Sequence, residues 1–342
     1  MKKKRTYIIL FGLILGVSLV FYQVLFAPLT TKPDVIDPCV YVLKGEKPKS
    51  VQQQLNEQLS KVSAFSVRLL FLFFIDESKL KEGKYAVNNR MSSLDFIRNL
   101  RNGRQVVVKL VISKSRSYKQ FETKMISTLH LDKTVLRAVM DSISVLDTLS
   151  TRDRPQSYFA VIIPETHLVF WNVTAKELSS KFKRAYCKFW NQKRLTQAAK
   201  LGLSKYEVIV LASIVEEETA NNDEKGQIAA VYFNRLKKQM RLQADPTIIY
   251  AWQDYSIHRV LNKHLAINSP FNTYRFLGLP PAPICLPSIA SVDAVLQMPI
   301  TSNLYFCANP NFNGSHLFTS NYAEHLKNAH AYQAAYQAKF AK

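Results

Sequence analysis

The chain has 342 residues, is 47% apolar and carries a formal charge of +21. The apolar share and 16 tyrosines exclude disorder over most of its length. Four cysteines, Cys39, Cys187, Cys285 and Cys307, lack CxxC or His-interleaved spacing and so offer no metal site. The surplus of cations points to an anionic partner.

Lys2, Lys3, Lys4 and Arg5 precede an uncharged run from Thr6 to Thr31. Its core, residues 7–26, matches the roughly 20 apolar helical residues that cross a bilayer. A secretory signal has a shorter apolar region of about 7–15 residues and a small-x-small cleavage site. Val24-Leu25-Phe26-Ala27-Pro28 is a poor one. The run therefore reads as an uncleaved anchor, with residues 1–6 held in the cytoplasm by their charge and the bulk of the chain outside. That topology carries the chain away from nucleic acid, which is not expected as a partner. Anionic peptidoglycan and phospholipid headgroups fit the charge better, and scattered solubility charge would fit it equally.

Residues 27–39, with Pro28, Pro33 and Pro38, read as an extended linker. A small module follows over residues 40–113. It is expected to have a strand at 40–43, helices at 50–59 and 62–74, a strand at 83–87, a helix at 93–102 with Ser93 as N-cap and Gly103 at its end, and an alternating strand at 105–112. Residues 114–200 show helical spacing at 119–129, 133–142 and 174–191. Between them lies an apolar run, 161–166, broken by Pro164.

Ser204-Lys-Tyr-Glu207 has the capping-box pattern and opens a helix with Val208, Leu211, Ala212 and Val215 on one face. Glu216 continues that stripe. Glu217 and Glu218 are turned from it by about 100° and 200°. On this spacing Glu216 is the carboxyl that burial and the helix C-terminal field should raise toward neutral pH. Three acids at a helix C-terminus oppose the macrodipole and call for a reason. A solvated acidic helix end is the plain alternative. A helix from about Asp223 carries Ile228, Val231, Tyr232 and Leu236 inward, with Asn234 and Arg235 at its polar edge. Asp245-Pro246 opens another, with Asp245 as N-cap and Pro246 at the first position. Residues 269–278 form a polar, aromatic loop of a kind that suits sugar binding. Ser288 caps a helix, 304–308 and 316–319 form a hairpin, and Ser320 caps the last helix. Cys285 and Cys307 are the one pair worth testing as a disulfide, with separate thiols as the alternative.

At these residues the chain resembles the YceG-like (MltG) family of endolytic murein transglycosylases. The matching stretches are 211–219, 231–236, 240–250, 269–274, 279–284, 287–290 and 304–308, with 83–87 and 163–166 upstream. Glu217 stands where the family usually has Lys, Ala244 where it has a small hydroxyl residue, and Leu286 where Asn often precedes Pro. The resemblance implies an α+β protein: a transmembrane helix, a LysM-like module, a mainly helical middle and an α+β catalytic region over 114–342. It implies an inner-membrane lyase, without cofactor, acting on peptidoglycan glycan strands, with cell-wall synthases as candidate partners. The family's catalytic Glu falls on Glu216. Glu218, Asn234, Gln243, Asp245 and Asn272 are expected to position the sugar or that acid, although each could equally serve as a cap or loop pin. A lysozyme-like hydrolase using Glu218 or Asp245 as a second carboxylate, and a non-catalytic glycan-binding scaffold, are the competing readings.

Overall fold

A computed structural model describes residues 2–147 and 155–340. Helix α1 (Lys2–Phe26) contains a 20-residue segment, Tyr7–Phe26, that is long and apolar enough to cross a membrane, and it is almost wholly exposed. Its C-terminal end packs into the first of two units, Met1–Lys109 with Thr128–His130 and Leu168–Val173. That unit orders β1 (Cys39–Val42), α2 (Pro48–Gln58), α3 (Lys61–Phe74), β2 (Gly83–Ala86) and α4 (Ser93–Asn102). The strand–helix–helix–strand order and every boundary fall within a few residues of expectation.

Strands β1 and β2 are antiparallel, with Val40 opposite Tyr85. Alternation buries Val40 and Val42 on the face toward α2, α3 and α4, whose Val51, Leu55, Val67, Phe71, Phe96 and Leu100 complete the core. Gly103 takes φ 67°, the left-handed conformation that ends α4 as expected. The cap of α4, however, is Ser92, not Ser93: the Ser92 hydroxyl accepts from the Asp95 amide, and Ser93 is the first helical residue. The proline-bearing segment after α1 is not free. Leu29 is fully buried, its amide donates to Met91 O, and Thr31 bridges to Leu59. Three prolines extend the chain, and one leucine still docks it.

Strand β3 (Val107–Val111) pairs with β4 (Thr166–Phe170). The second unit comprises Leu110–Ser127, Leu131–His167 and Thr174–Lys342. It holds α5 (Tyr118–Thr128), α6 (Lys133–Ser144), α7 (Ala175–Phe189), α8 (Gln192–Leu201), α9 (Lys205–Glu218), α10 (Asn222–Lys237), α11 (Asp245–Trp252), α12 (Asn262–Leu265) and α13 (Ile289–Leu296). The hairpin β5 (Tyr305–Ala308)–β6 (His316–Thr319) and α14 (Tyr322–Phe340) close it. β4, α8 and α12 have no counterpart among the elements expected from the sequence.

Helix α9 is the hub. It packs on α8, α10, α11, α13 and the tight 3-10 turn Pro155–Ala160. Its capping box forms as read: Ser204 accepts from the Glu207 amide, and Glu207 reaches back to Ser204. Eight consecutive residues, Val208 to Val215, are buried, so the helix has no solvent face along this stretch. Each large aliphatic side chain among them contributes about 1.5–3 kcal/mol by burial. The first turn, Lys205 to Glu207, and the last, Glu216 to Glu218, reach at least partial exposure.

Helix α14 is capped by Asn321, not Ser320. Asn321 Oδ1 accepts from the amides of Ala323 (2.8 Å) and Glu324 (3.3 Å). Asn321→Ala should cost about 1 kcal/mol in chemical denaturation, and Ser320→Ala close to nothing.

Candidate functional site

The three carboxylates at the end of α9 meet three different environments. Glu216 Oε2 accepts from Ser288 Oγ at 2.6 Å, Ser291 Oγ at 2.5 Å and the Ser288 amide at 3.3 Å. The ammonium of Lys225, itself buried on α10, lies 3.2 Å away. Burial alone would raise the Glu216 carboxyl, but these donors outweigh it and hold it below its ordinary value. The anion also sits at the N-terminus of α13, where the helix field favours negative charge. The expectation of a raised Glu216 is therefore overturned. Its neighbours favour the carboxylate form.

Glu217 pairs with Lys114 at 2.8 Å and with Arg116 at 3.1 Å, both on the segment leading from β3 into α5. Glu218 turns toward α10 and α11. It keeps an accessible edge, but its carboxyl is enclosed by protein, and Oε2 is buried with no hydrogen-bond partner among the described residues. Burial, reinforced by the nearby charge of Asp245, pushes it up to about 7, against smaller opposing effects of the Tyr232 hydroxyl and Arg235. Asp245 is likewise raised by burial, offset in part by the Tyr274 hydroxyl, which donates to its Oδ1 at 2.5 Å. Asp245 is not the cap of α11. The helix begins at Asp245 after Ala244, Pro246 takes the second position, and the Asp245 side chain is left for Tyr274.

The three glutamates border a cleft of about 520 Å³ lined also by Lys114, Arg116, Asn222, Lys225 and Ser288. A second hollow of about 330 Å³ shares Arg116 and Glu217 with it and adds Tyr250, Tyr255 and His258. The result is a polar, aromatic-edged trough whose acids differ in charge: Glu216 and Glu217 are paired with cations, while Glu218 is poised to hold a proton near pH 7. Among the described residues no three His, Cys, Asp or Glu side chains gather as a metal-binding group.

Residues 40–331 match the YceG-like family. The chain belongs to the YceG-like family. It is 42% identical over 125 residues to the endolytic murein transglycosylase of Bacillus subtilis strain 168, covering 36% of this chain and 34% of that one. It is 26% identical over 319 residues to the endolytic murein transglycosylase of Streptococcus pneumoniae serotype 2 strain D39, covering 84% and 58%. The chain thus spans between about a third and three fifths of these relatives' lengths. The crystal structure of a YceG-like protein from Listeria monocytogenes superposes with a TM-score of 0.56 at 26% identity, covering 84% of this chain and 97% of that one.

Of the residues expected at the site of this YceG-like chain, Glu216, Glu218 and Asp245 come together and three others do not. Asn234 donates to Thr301 O (2.9 Å) and Asn303 O (3.0 Å), fastening the approach to β5. Gln243 adopts φ 52°, and its Oε1 faces Arg235 Nη1 at 3.5 Å. Asn272 is fully buried and donates to Leu265 O and Ile267 O, pinning its own loop. The Asn234 and Asn272 amides donate to backbone carbonyls, and the Gln243 oxygen accepts from Arg235. Cys285 and Cys307 are both free thiols, and Cys285 Sγ is buried against Ser213 O.

Lys225, Ser291, Lys114 and Arg116 were not anticipated. Lys225 reads in sequence as an ordinary exposed helix lysine (Asn-Asp-Glu-Lys), and nothing local marks it as buried. The sequence marks Ser288 as a cap only. It caps α13 and binds Glu216 with the same hydroxyl.

Proposed function

We propose that this chain is a lytic transglycosylase that cuts peptidoglycan glycan strands internally, between N-acetylmuramic acid and N-acetylglucosamine, with Glu218 rather than Glu216 as the acid and then the base. The observation that carries this reading is the carboxyl of Glu218 at about 7, beside a polar trough. Glu218 gives its proton to the glycosidic oxygen. The C1–O bond breaks, the electron pair leaves with that oxygen, and cationic character develops at the muramic C1. The resulting carboxylate takes the proton of the C6 hydroxyl, and O6 bonds to C1 to give a 1,6-anhydro end. No second carboxylate is needed, because the nucleophile is held in the same sugar. Glu216, kept anionic by Lys225, Ser288 and Ser291, fixes the end of α9 and places Glu218. The continuation of the trough past Arg116 and Glu217 suits a strand that runs through the site, as internal cleavage requires.

In this reading α1 anchors the chain in the inner membrane as a single span, with the rest of the chain beyond Phe26 outside the cytoplasm. The first unit acts as a LysM-like glycan-holding module, and cell-wall synthases are candidate partners. The name shared by the Bacillus and Streptococcus relatives supports the same activity.

A second reading is favoured by one observation. Asp245 lies close enough to Glu218 for its charge to raise it, so a lysozyme-like hydrolase could use Asp245 to activate water. Product mass separates the two. Full-length chain in detergent, given uncrosslinked glycan strands, should yield fragments one water lighter than hydrolysis products. Fragments with reducing ends would overturn the transglycosylase.

A further inference from the structure

Helix α3 carries an apolar stripe that none of the described residues covers. Val62, Phe65, Leu72 and Phe73 are 62–76% exposed, and Leu69 is partly buried between them. At 100° per residue these five occupy one arc of about 100°. Core packing uses the opposite face, through Val67, Leu70 and Phe71. Lys61 and Arg68 lie along one edge of the stripe, and α3 contains no acidic residue. A helix with large exposed apolar side chains bordered only by cations is suited to the headgroup–acyl boundary of an anionic bilayer.

The neighbouring elements put that boundary within reach. The end of α1 packs on α3 and α4 within the same unit, with Val24 buried in the shared core. Four residues beyond Phe26, the Thr30 amide donates to Ser63 Oγ at 2.9 Å, and Thr30 O accepts from the Ser60 amide at 2.8 Å. Four residues span at most about 14 Å. The first turn of α3 is thereby tied to the exit of α1. An interfacial helix buries its apolar face about 5–10 Å into the boundary, a depth that this tether allows.

We infer that α3 is a second membrane contact: it lies on the outer surface of the bilayer that α1 crosses, with its stripe in the acyl boundary and Lys61 and Arg68 on anionic headgroups. The inference rests on the reading of α1 as a membrane span. Its consequence is orientational. The packed end of α1 joins the unit to the span, and a surface helix beside it fixes which side faces the membrane.

The test uses the full chain reconstituted in phosphatidylethanolamine–phosphatidylglycerol vesicles, with tryptophan placed at Phe65 or Phe73. Both positions are exposed, so Phe65→Trp and Phe73→Trp leave the core untouched. After subtraction of the parent chain's emission, each added tryptophan should be blue-shifted. Each should lose most of its intensity when the acyl chains are brominated near the headgroup end. Adding Leu72→Asp and Val62→Asp to Phe73→Trp should abolish that quenching. Alkaline extraction of the same vesicles reports on α1 independently. Retention of the chain with unquenched, red-shifted tryptophans would leave the anchor standing and overturn docking of α3. Blue-shifted but unquenched emission would mean that protein, a second copy included, covers the stripe, and would also overturn it. Release of the chain at high pH would remove the span, and the inference with it.

Discussion

Glu218→Gln is expected to lower the cleavage rate by about 10²–10⁴-fold, or to below detection, and at the same time to make the fold more stable above pH 7. The two effects have one cause. A carboxyl raised from its ordinary 4.5 to about 7 is more protonated in the folded chain than in the unfolded chain between those values. Folded chain then binds more protons than unfolded chain, so stability falls as pH rises through that window. Below about pH 4.5 both states are protonated and the penalty vanishes. Above pH 7 it is complete, and corresponds to about 3 kcal/mol at most. Glutamine carries no charge to bury and escapes it. Denaturant titrations of Glu218→Gln and parent should coincide near pH 4.5 and separate toward pH 8, with the variant the more stable.

The rate should follow the same group from the other side. Glu218 must carry its proton to protonate the leaving oxygen, so the cleavage rate of the parent should fall as pH rises above about 7. Glu216→Gln predicts the opposite in stability. It removes a carboxylate that the fold stabilises and leaves Lys225 buried without its counter-charge, which costs on the order of 3–5 kcal/mol. If Glu216→Gln keeps the parent's stability and Glu218→Gln keeps its activity, the assignment of the acid fails.

The order of elements was legible in the sequence because local chemistry decides it. The Ser204–Glu207 box, Gly103 after α4 and Ser288 before α13 are each satisfied by residues within three or four positions. The choice among the three carboxylates was not legible. Rotation by 100° per residue ranks them only if α9 has one buried face, and the helix is buried on every side from Val208 to Val215. What separates Glu216 from Glu218 comes from elsewhere in the chain: Lys225, Ser288 and Ser291 for the first, Tyr232 and Asp245 for the second. Asn234, Gln243 and Asn272 mislead for a related reason. A polar side chain beside a motif looks available for ligand until its partners are known, which are backbone carbonyls for Asn234 and Asn272 and the Arg235 guanidinium for Gln243.

Lys225→Met provides the sharpest separation of the two acids. The Lys225 side chain is 5% exposed, and its ammonium is 3.2 Å from Glu216 Oε2. Lys114 reaches Glu216 only at 3.8 Å and from a more exposed position, where solvent weakens it. Removing the buried ammonium leaves a carboxylate held by serine hydroxyls and the end of α13, and should destabilise the chain by about 3–5 kcal/mol at pH 8. The loss should shrink toward pH 4, where Glu216 in the variant takes up a proton and no uncompensated charge remains. Lys225→Met combined with Glu216→Gln should recover most of it, since the pair leaves together. None of this should move the alkaline fall in cleavage rate, because Lys225 is not among the groups that set Glu218. Were Glu216 the acid, loss of its cation would raise it, and the fall would shift to higher pH. The pH profile of Lys225→Met, measured with folded protein at each point, therefore decides between the carboxyl the helix period selects and the one its surroundings prepare.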